Sequence, residues 1–165
     1  MKTEPTVAVV TGSFDPVTAG HLDLITRAAS LFDTVWVAVS ANAEKNNLFS
    51  AEERTTLVRL ATAALPNVKT ALCEGLVSDF LREKNARILV RGARSASDFD
   101  YEYDLAHIMR RFDPALETVI LPTAPTLSAV SSTYVRELLR YGAPLGDAVP
   151  ETVKEQMLAF YASKT

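Results

Sequence analysis

Short apolar runs alternate along this chain with segments in which apolar residues recur every three or four positions. Five runs rich in Val, Ile and Leu are predicted to be strands: Val7–Thr11, Thr34–Ser40, Val68–Cys73, Arg87–Val90 and Glu117–Leu121. Several of them are apolar almost throughout, which is typical of strands buried on both faces. The pattern therefore predicts a parallel sheet covered by helices.

The segments between the strands have the period of amphipathic helices. The stripe of Leu22, Ile25 and Phe32 predicts the first helix. The capping-box spacing of Ser50 and Glu53 predicts the start of the second. The other helices are predicted at Leu76–Lys84, Asp98–Phe112, Ser132–Tyr141 and Pro150–Tyr161. The order β-α-β-α-β-α-β-α-β-α-α predicts a Rossmann-like three-layer α/β sandwich with a five-stranded parallel sheet, in one domain over residues 1–165.

Composition narrows the class of protein. At 165 residues, 48% hydrophobic and 22% charged, the chain suits one globular domain. It has no apolar run of about 18 residues and no signal-peptide pattern, so we expect a cytoplasmic protein without a membrane span. Cys73 is the single cysteine, which excludes an internal disulfide or a cysteine metal cluster. The net charge of −3 argues against nucleic-acid binding, but Arg91 and Arg94 form a local cationic cluster that suits polyphosphate ligands.

The segment Gly12–His21 carries the clearest candidate chemistry. It links the first strand to the first helix through a turn that contains Gly, Ser and Pro. Such a turn presents backbone N–H groups and the positive end of a helix to an anion. His21 falls in the first turn of that helix, where its side chain can point at a bound phosphate. The segment therefore predicts a nucleotide site.

Three further loops carry polar residues after strands. In open parallel sheets the ligand lies beyond the carboxyl ends of the strands. We therefore expect four loops to converge on one edge of the sheet: Gly12–His21, Ala41–Phe49, Arg91–Asp98 and Pro122–Thr133.

These motifs resemble a known family. Gly12–Pro16 with Thr18–His21 is similar to the signature of the HxGH nucleotidyltransferase superfamily, and threonine at the first histidine position is typical of the phosphopantetheine adenylyltransferase family. The resemblance covers essentially the whole chain, with further matches at Lys45, Phe49–Arg54, Arg91–Arg94, Asp98–Glu102 and Ser131–Thr133. It implies a fold of the nucleotidyltransferase type.

The resemblance also implies an activity. The family transfers AMP from ATP to 4′-phosphopantetheine and releases dephospho-coenzyme A and pyrophosphate, in coenzyme A biosynthesis. Mg²⁺ is expected to arrive with ATP rather than on protein ligands. A homohexamer is expected by resemblance alone, and feedback binding of coenzyme A stays open.

Site residues follow from the matched positions. His21 is expected to stabilise the transition state, and Lys45 and Arg91 to act as cations on the acceptor side. The expected ATP-binding residues are Ser13, Phe14, His21, Gly92, Ala93, Arg94, Glu102, Leu127, Ser128, Ala129, Val130, Ser131, Ser132 and Thr133. The expected phosphopantetheine-binding residues are Ser13, Lys45, Leu76, Val77, Arg91 and Met109.

Two positions depart from the family pattern. Met109 stands where the family usually has an asparagine that binds the pantetheine arm, and a thioether donates no hydrogen bond. Seven residues separate it from Glu102, so both should share a helix face turned to the site. Thr11 stands where the family often has proline, which we expect to be a minor backbone change.

Most of these residues also have a plain structural interpretation. Taken alone, Ser131 is a helix N-cap, and His21 is a helix-start histidine that caps its own turn. His107 lies in a predicted helix without any motif and is expected to be structural. Two other functions remain open: nucleotidyl transfer to another acceptor, such as nicotinate mononucleotide or glycerol phosphate, and nucleotide sensing without catalysis.

Overall fold

The computed structural model describes residues 4–41 and 46–164, and their strands and helices follow the predicted order. The strands are β1 (Val7–Gly12), β2 (Thr34–Ser40), β3 (Val68–Cys73), β4 (Ile88–Ala93) and β5 (Glu117–Pro122). The helices are α1 (Ala19–Leu31), α2 (Ala51–Thr62), α3 (Val77–Glu83), α4 (Ala96–Phe112), α5 (Ser132–Arg140) and α6 (Glu151–Ala162). A 3₁₀ turn at Pro125–Leu127 was not predicted, because three residues are too short for a periodic signal.

The sheet is parallel throughout, in the order β3-β2-β1-β4-β5, which confirms the predicted α/β sandwich. Strand β1 shows why the run Val7–Val10 is apolar. Ala8 and Val10 face one core cluster, while Val9 faces the other on the opposite side of the sheet. No helix among residues 4–41 and 46–164 is long and apolar enough to cross a bilayer.

The strand order reverses between β1 and β4. Their pairing ends at Val10 and Val90, whereas β1 remains paired with β2 as far as Gly12 and β4 with β5 as far as Ala93. Because the two central strands separate before their neighbours do, a crevice opens between their carboxyl ends. This is the switch point at which open α/β sheets bind ligands.

A buried arginine joins the loops beside this crevice. Arg54 of α2 is only 1% exposed, and its guanidinium donates to the carbonyls of Ser13 (2.6 Å), Ser40 (2.7 Å) and Phe49 (3.2 Å). These carbonyls lie after β1, at the end of β2 and before α2. The carboxylate of Asp15 accepts the N–H groups of Leu48 and Phe49 at 2.8 and 2.9 Å. Two of the predicted loops are thereby fixed to each other.

Replacing Arg54 with methionine should destabilise the fold strongly. The variant leaves buried carbonyls without donors, so we expect a loss of roughly 3 kcal/mol in the free energy of unfolding. Urea denaturation measures it, with Arg59→Met as the matched control on the exposed side of the same helix. Equal losses in the two variants would contradict this role for Arg54.

Candidate functional site

A cavity of about 460 Å³ occupies the crevice at the carboxyl edge of the sheet. It is lined by Thr11, Gly12, Thr18, Gly20, His21, Leu24, Arg91, Gly92, Arg94, Asp98, Tyr101, Glu102, Thr123, Val130, Ser131, Ser132 and Thr133. Three of the four predicted loops contribute to this wall, so their expected convergence on one edge of the sheet holds.

A second cavity of about 410 Å³ adjoins the first. It is lined by Ser13, Phe14, Asp15, His21, Asn46, Asn47, Ser132 and Arg136. His21 and Ser132 line both cavities. The imidazole therefore stands where two ligand-sized spaces meet.

The hydrogen bonds of His21 define its tautomer. Thr18 caps α1, and its backbone N–H donates to His21 Nδ1 at 3.0 Å, which completes a capping box. A backbone N–H can only donate, so Nδ1 carries no proton and the neutral ring carries its proton on Nε2. The structural and functional interpretations of His21 are therefore compatible, because capping uses one ring nitrogen and leaves the other as a donor.

His21 is held in its neutral form. Burial, Arg94 and Arg91, in that order of effect, lower its pKa from 6.5 to about 4. A bound polyphosphate would favour the cationic ring, whereas the surrounding protein groups favour the neutral one. At neutral pH the imidazole is thus an uncharged Nε2–H donor.

Phe14 supports the imidazole from the side. Its ring lies edge-on to His21, with centroids 5.0 Å apart, and it is buried at a positive φ of 49°. A Cβ atom at Gly12 would lie 3.1 Å from this ring, closer than ordinary contact. A side chain at residue 12 would therefore require the Phe14 ring to shift by a few tenths of an ångström. The left-handed backbone of Phe14 is strain of the kind found at functional sites.

Arg91 and Glu102 form a two-pronged ion pair in the wall of the larger cavity. Arg91 Nε donates to Glu102 Oε2 at 2.7 Å and Nη2 donates to Oε1 at 2.8 Å. Nη1 donates to the carbonyl and the hydroxyl oxygen of Thr11, at 3.0 and 2.8 Å. The predicted acceptor-side cation and the predicted ATP-site carboxylate are therefore direct partners, a contact that sequence spacing did not indicate.

Arg94 is the more available cation. Its guanidinium lies 3.3 Å from the carboxylate of Asp98, and its side chain is 44% exposed. The pKa of Asp98 is lowered, chiefly because its carboxylate accepts the backbone N–H of Arg94. This contact closes the turn that leads from β4 into α4 and keeps Arg94 at the cavity.

The hydroxyl groups at the start of α5 all have intramolecular contacts. Ser131 accepts the N–H of Tyr134 as the N-cap, and Ser132 donates to the carbonyl of Pro16 at 2.8 Å. Thr133 accepts from Arg136. The predicted capping role is thus present, and Ser131, Ser132 and Thr133 line the larger cavity, where the start of a helix suits an anion.

Not every predicted site residue reaches these cavities. Ala93 and the segment Leu127–Ala129 do not line either of them, and Lys45 lies outside the described residues. Leu76, 56% exposed, caps α3, and Val77 packs partly against the second core cluster. Their assigned roles stay predictions.

Met109 packs in the core, and its expected contact with the acceptor stays a prediction. It does share the buried side of α4 with Glu102, as the spacing predicts. However, it is only 8% exposed and packs in the second core cluster with Phe80, Leu89 and Leu116. Its apolar side chain favours the core over a polar cavity, so it lines neither one.

The structure adds residues that sequence reasoning missed. Arg136 lines the second cavity and donates to the carbonyl of Asp15 at 2.6 Å. It follows Ser132 by one helical turn, a spacing that places both on one face of α5 and could have revealed it. Thr11 and Tyr101 line the first cavity, directly beside predicted residues.

The donor set does not favour a metal held by side chains. No group of three or more His, Cys, Asp or Glu side chains that could bind a metal occurs in the described ranges. The two carboxylates of the larger cavity, Asp98 and Glu102, each contact an arginine.

Comparisons with known proteins agree with this geometry. The cytidylyltransferase-like family model matches residues 9–138. The chain is 45% identical over 152 residues to the phosphopantetheine adenylyltransferase of Proteus mirabilis, covering 92% of this chain and 94% of that protein. It is 47% identical over 148 residues to the enzyme of that name from Desulforudis audaxviator, covering 90% and 91%.

A solved structure shares the fold. The crystal structure of a putative nicotinate-nucleotide adenylyltransferase from Vibrio parahaemolyticus superposes with a TM-score of 0.69 at 18% identity, covering 94% of this chain and 93% of that one. At that identity the likeness shows the fold alone. The family match and the close relatives show more: the chain belongs to the cytidylyltransferase-like family and, within it, to the phosphopantetheine adenylyltransferases.

Proposed function

We propose that this protein transfers AMP from ATP to 4′-phosphopantetheine, giving dephospho-coenzyme A and pyrophosphate in coenzyme A biosynthesis. The observation that carries the proposal is the position of His21 between two cavities that are bordered by arginines. Two phosphorylated reactants must meet at one phosphorus atom, and this arrangement provides a space on each side of a single donor.

The reaction is an in-line displacement. A phosphate oxygen of the acceptor forms a bond to the α-phosphorus of ATP, while the bond from that phosphorus to the pyrophosphate oxygen breaks. Charge on the α-phosphate oxygens is greatest in the transition state, so a preset donor aimed there lowers the barrier. His21 Nε2–H fits that task without any transfer of its proton, because Thr18 holds the opposite nitrogen.

The larger cavity is the proposed nucleotide site. Arg94 and the N–H groups at the start of α5 would hold the triphosphate, which carries Mg²⁺. Both oxygens of Glu102 already accept from Arg91, but each has a second lone pair for a ribose hydroxyl. Ser13 in the second cavity and Lys45 remain proposed contacts for the acceptor. Arg91 lines the larger cavity, and we propose that it reaches the acceptor phosphate where the two cavities meet.

We also propose the homohexamer that the resemblance implies. Helix α4 exposes Phe99, Tyr103, Ile108 and Phe112, each about half exposed in the single chain. Exposed apolar side chains along one helix suit contact with other subunits. The buried Cys73 is in keeping with the expected cytoplasmic location.

An acceptor panel tests the proposed reaction. With ATP and Mg²⁺, pyrophosphate should be released with 4′-phosphopantetheine and not with nicotinate mononucleotide or glycerol phosphate. Release with another acceptor alone would replace the proposal with a different nucleotidyl transfer. Tight ATP binding without release under any acceptor would indicate a nucleotide sensor.

Replacing His21 with alanine tests the transition-state donor. Turnover should fall roughly 10²–10³-fold, with a small change in ATP affinity, because the lost hydrogen bond is strongest in the transition state. His107→Ala on the exposed surface of α4 is the control and should keep near-normal turnover. Steady-state kinetics would contradict the role if His21→Ala retained turnover within about tenfold of the unmodified protein.

The charge state of His21 can be measured directly. Nitrogen-detected NMR of the ring should show the neutral Nε2–H tautomer at pH 7 and protonation near the pKa of about 4. The unfolded chain binds this proton near pH 6.5, so the contribution of His21 to stability is complete above that pH and is lost as the pH falls toward 4. A ring that is already cationic at pH 7 would contradict this assignment.

A further inference from the structure

The side chain of Arg91 crosses the crevice between β1 and β4, beyond the last backbone pairing of the two strands. Backbone pairing of these strands stops at Val10 and Val90. One residue further along each strand, Arg91 Nη1 donates to both the carbonyl and the hydroxyl oxygen of Thr11. The guanidinium thus bridges the two strands at the point where their backbones separate.

Contacts within the protein use almost all the N–H donors of Arg91. A guanidinium carries five N–H groups. Two donate to Glu102 and two to Thr11, which leaves one Nη2–H for a ligand. Glu102 is 7% exposed and Arg91 21% exposed, so neither contact is a loose surface pair. The group is therefore fixed in its plane from two sides.

We propose that Thr11 is a positioning residue: its hydroxyl, together with Glu102, fixes Arg91 so that one edge of the guanidinium faces the acceptor phosphate. Without Thr11 Oγ1, the group is held by Glu102 and one carbonyl, so fewer hydrogen bonds oppose rotation about its Nε–Cζ bond. A phosphate would then have to order the donor on binding, at a cost to affinity. The identity of the acceptor rests on the proposed function. The contacts of Thr11 and Glu102 with Arg91, which we call the clamp, rest on the geometry alone.

Thr11→Val removes the hydroxyl and preserves side-chain size. We expect the KM for 4′-phosphopantetheine to rise about tenfold, the scale of one hydrogen bond to a charged group, while the KM for ATP stays within twofold. Thr11→Ser restores the hydroxyl and should return both values to normal. Thr118→Val, a strand threonine of β5 outside both cavities, is the matched control.

A second measurement does not need activity. The side-chain NMR signal of Arg91, assigned by its loss in Arg91→Lys, reports rotation about Nε–Cζ. Rotation should be faster in Thr11→Val than in the unmodified protein. The rotation rate in Thr11→Ser and in Thr118→Val should equal that of the unmodified protein. If the original chain showed no adenylyl transfer, the proposed function would fail, and this measurement would still test the clamp.

Three results would overturn the positioning role. One is unchanged rotation of Arg91 in Thr11→Val. The second is an equal rise in the KM of both substrates, which would show a general change of cavity shape. The third is a Thr11→Ser variant as defective as Thr11→Val, because the hydroxyl would then not be the active feature.

Discussion

The buried guanidinium of Arg54 is the interaction on which the site depends. Loops of a parallel sheet have no ladder to hold them once the strands end. Arg54 supplies three donors at that point and binds carbonyls that belong to the ends of β1 and β2 and to the start of α2. Since its charge has been taken out of water, its pKa is lowered by burial, and its hydrogen bonds must compensate for the lost hydration. Arg54 therefore holds the loops that border the second cavity in place relative to one another.

The catalytic geometry reuses groups that the fold already needs. Every helix start has N–H groups without partners, and His21 satisfies one of them by completing the capping box of α1. That structural bond determines which nitrogen keeps the proton. At the start of α5, serine and threonine side chains make local contacts and also line the larger cavity. Local stability and ligand chemistry are thus two effects of the same hydrogen bonds.

The sequence predicted the framework well because apolar periodicity and capping are local signals. Thr34–Ser40 and Val68–Cys73 match the observed strands at both ends, and Ser50 caps α2 as expected. The motif residues His21, Arg91 and Arg94 line one cavity because they follow neighbouring parallel strands. Their partners were not predictable, since the contact between Arg91 and Thr11 joins residues 80 positions apart. The packing of Met109 in the second core cluster was also not predictable, because helical spacing gives a shared face, while the depth of a side chain along that face depends on neighbouring elements.

The packing of Phe14 over Gly12 has a consequence for how this site tolerates change. The aromatic ring transmits steric pressure from the backbone of β1 to the edge of the imidazole, 5.0 Å away between centroids. Added volume at residue 12 would therefore press on the Phe14 ring, which packs against the imidazole. The choice of residue at position 12 is therefore limited by its contact with the Phe14 ring, in addition to any direct contact with a ligand.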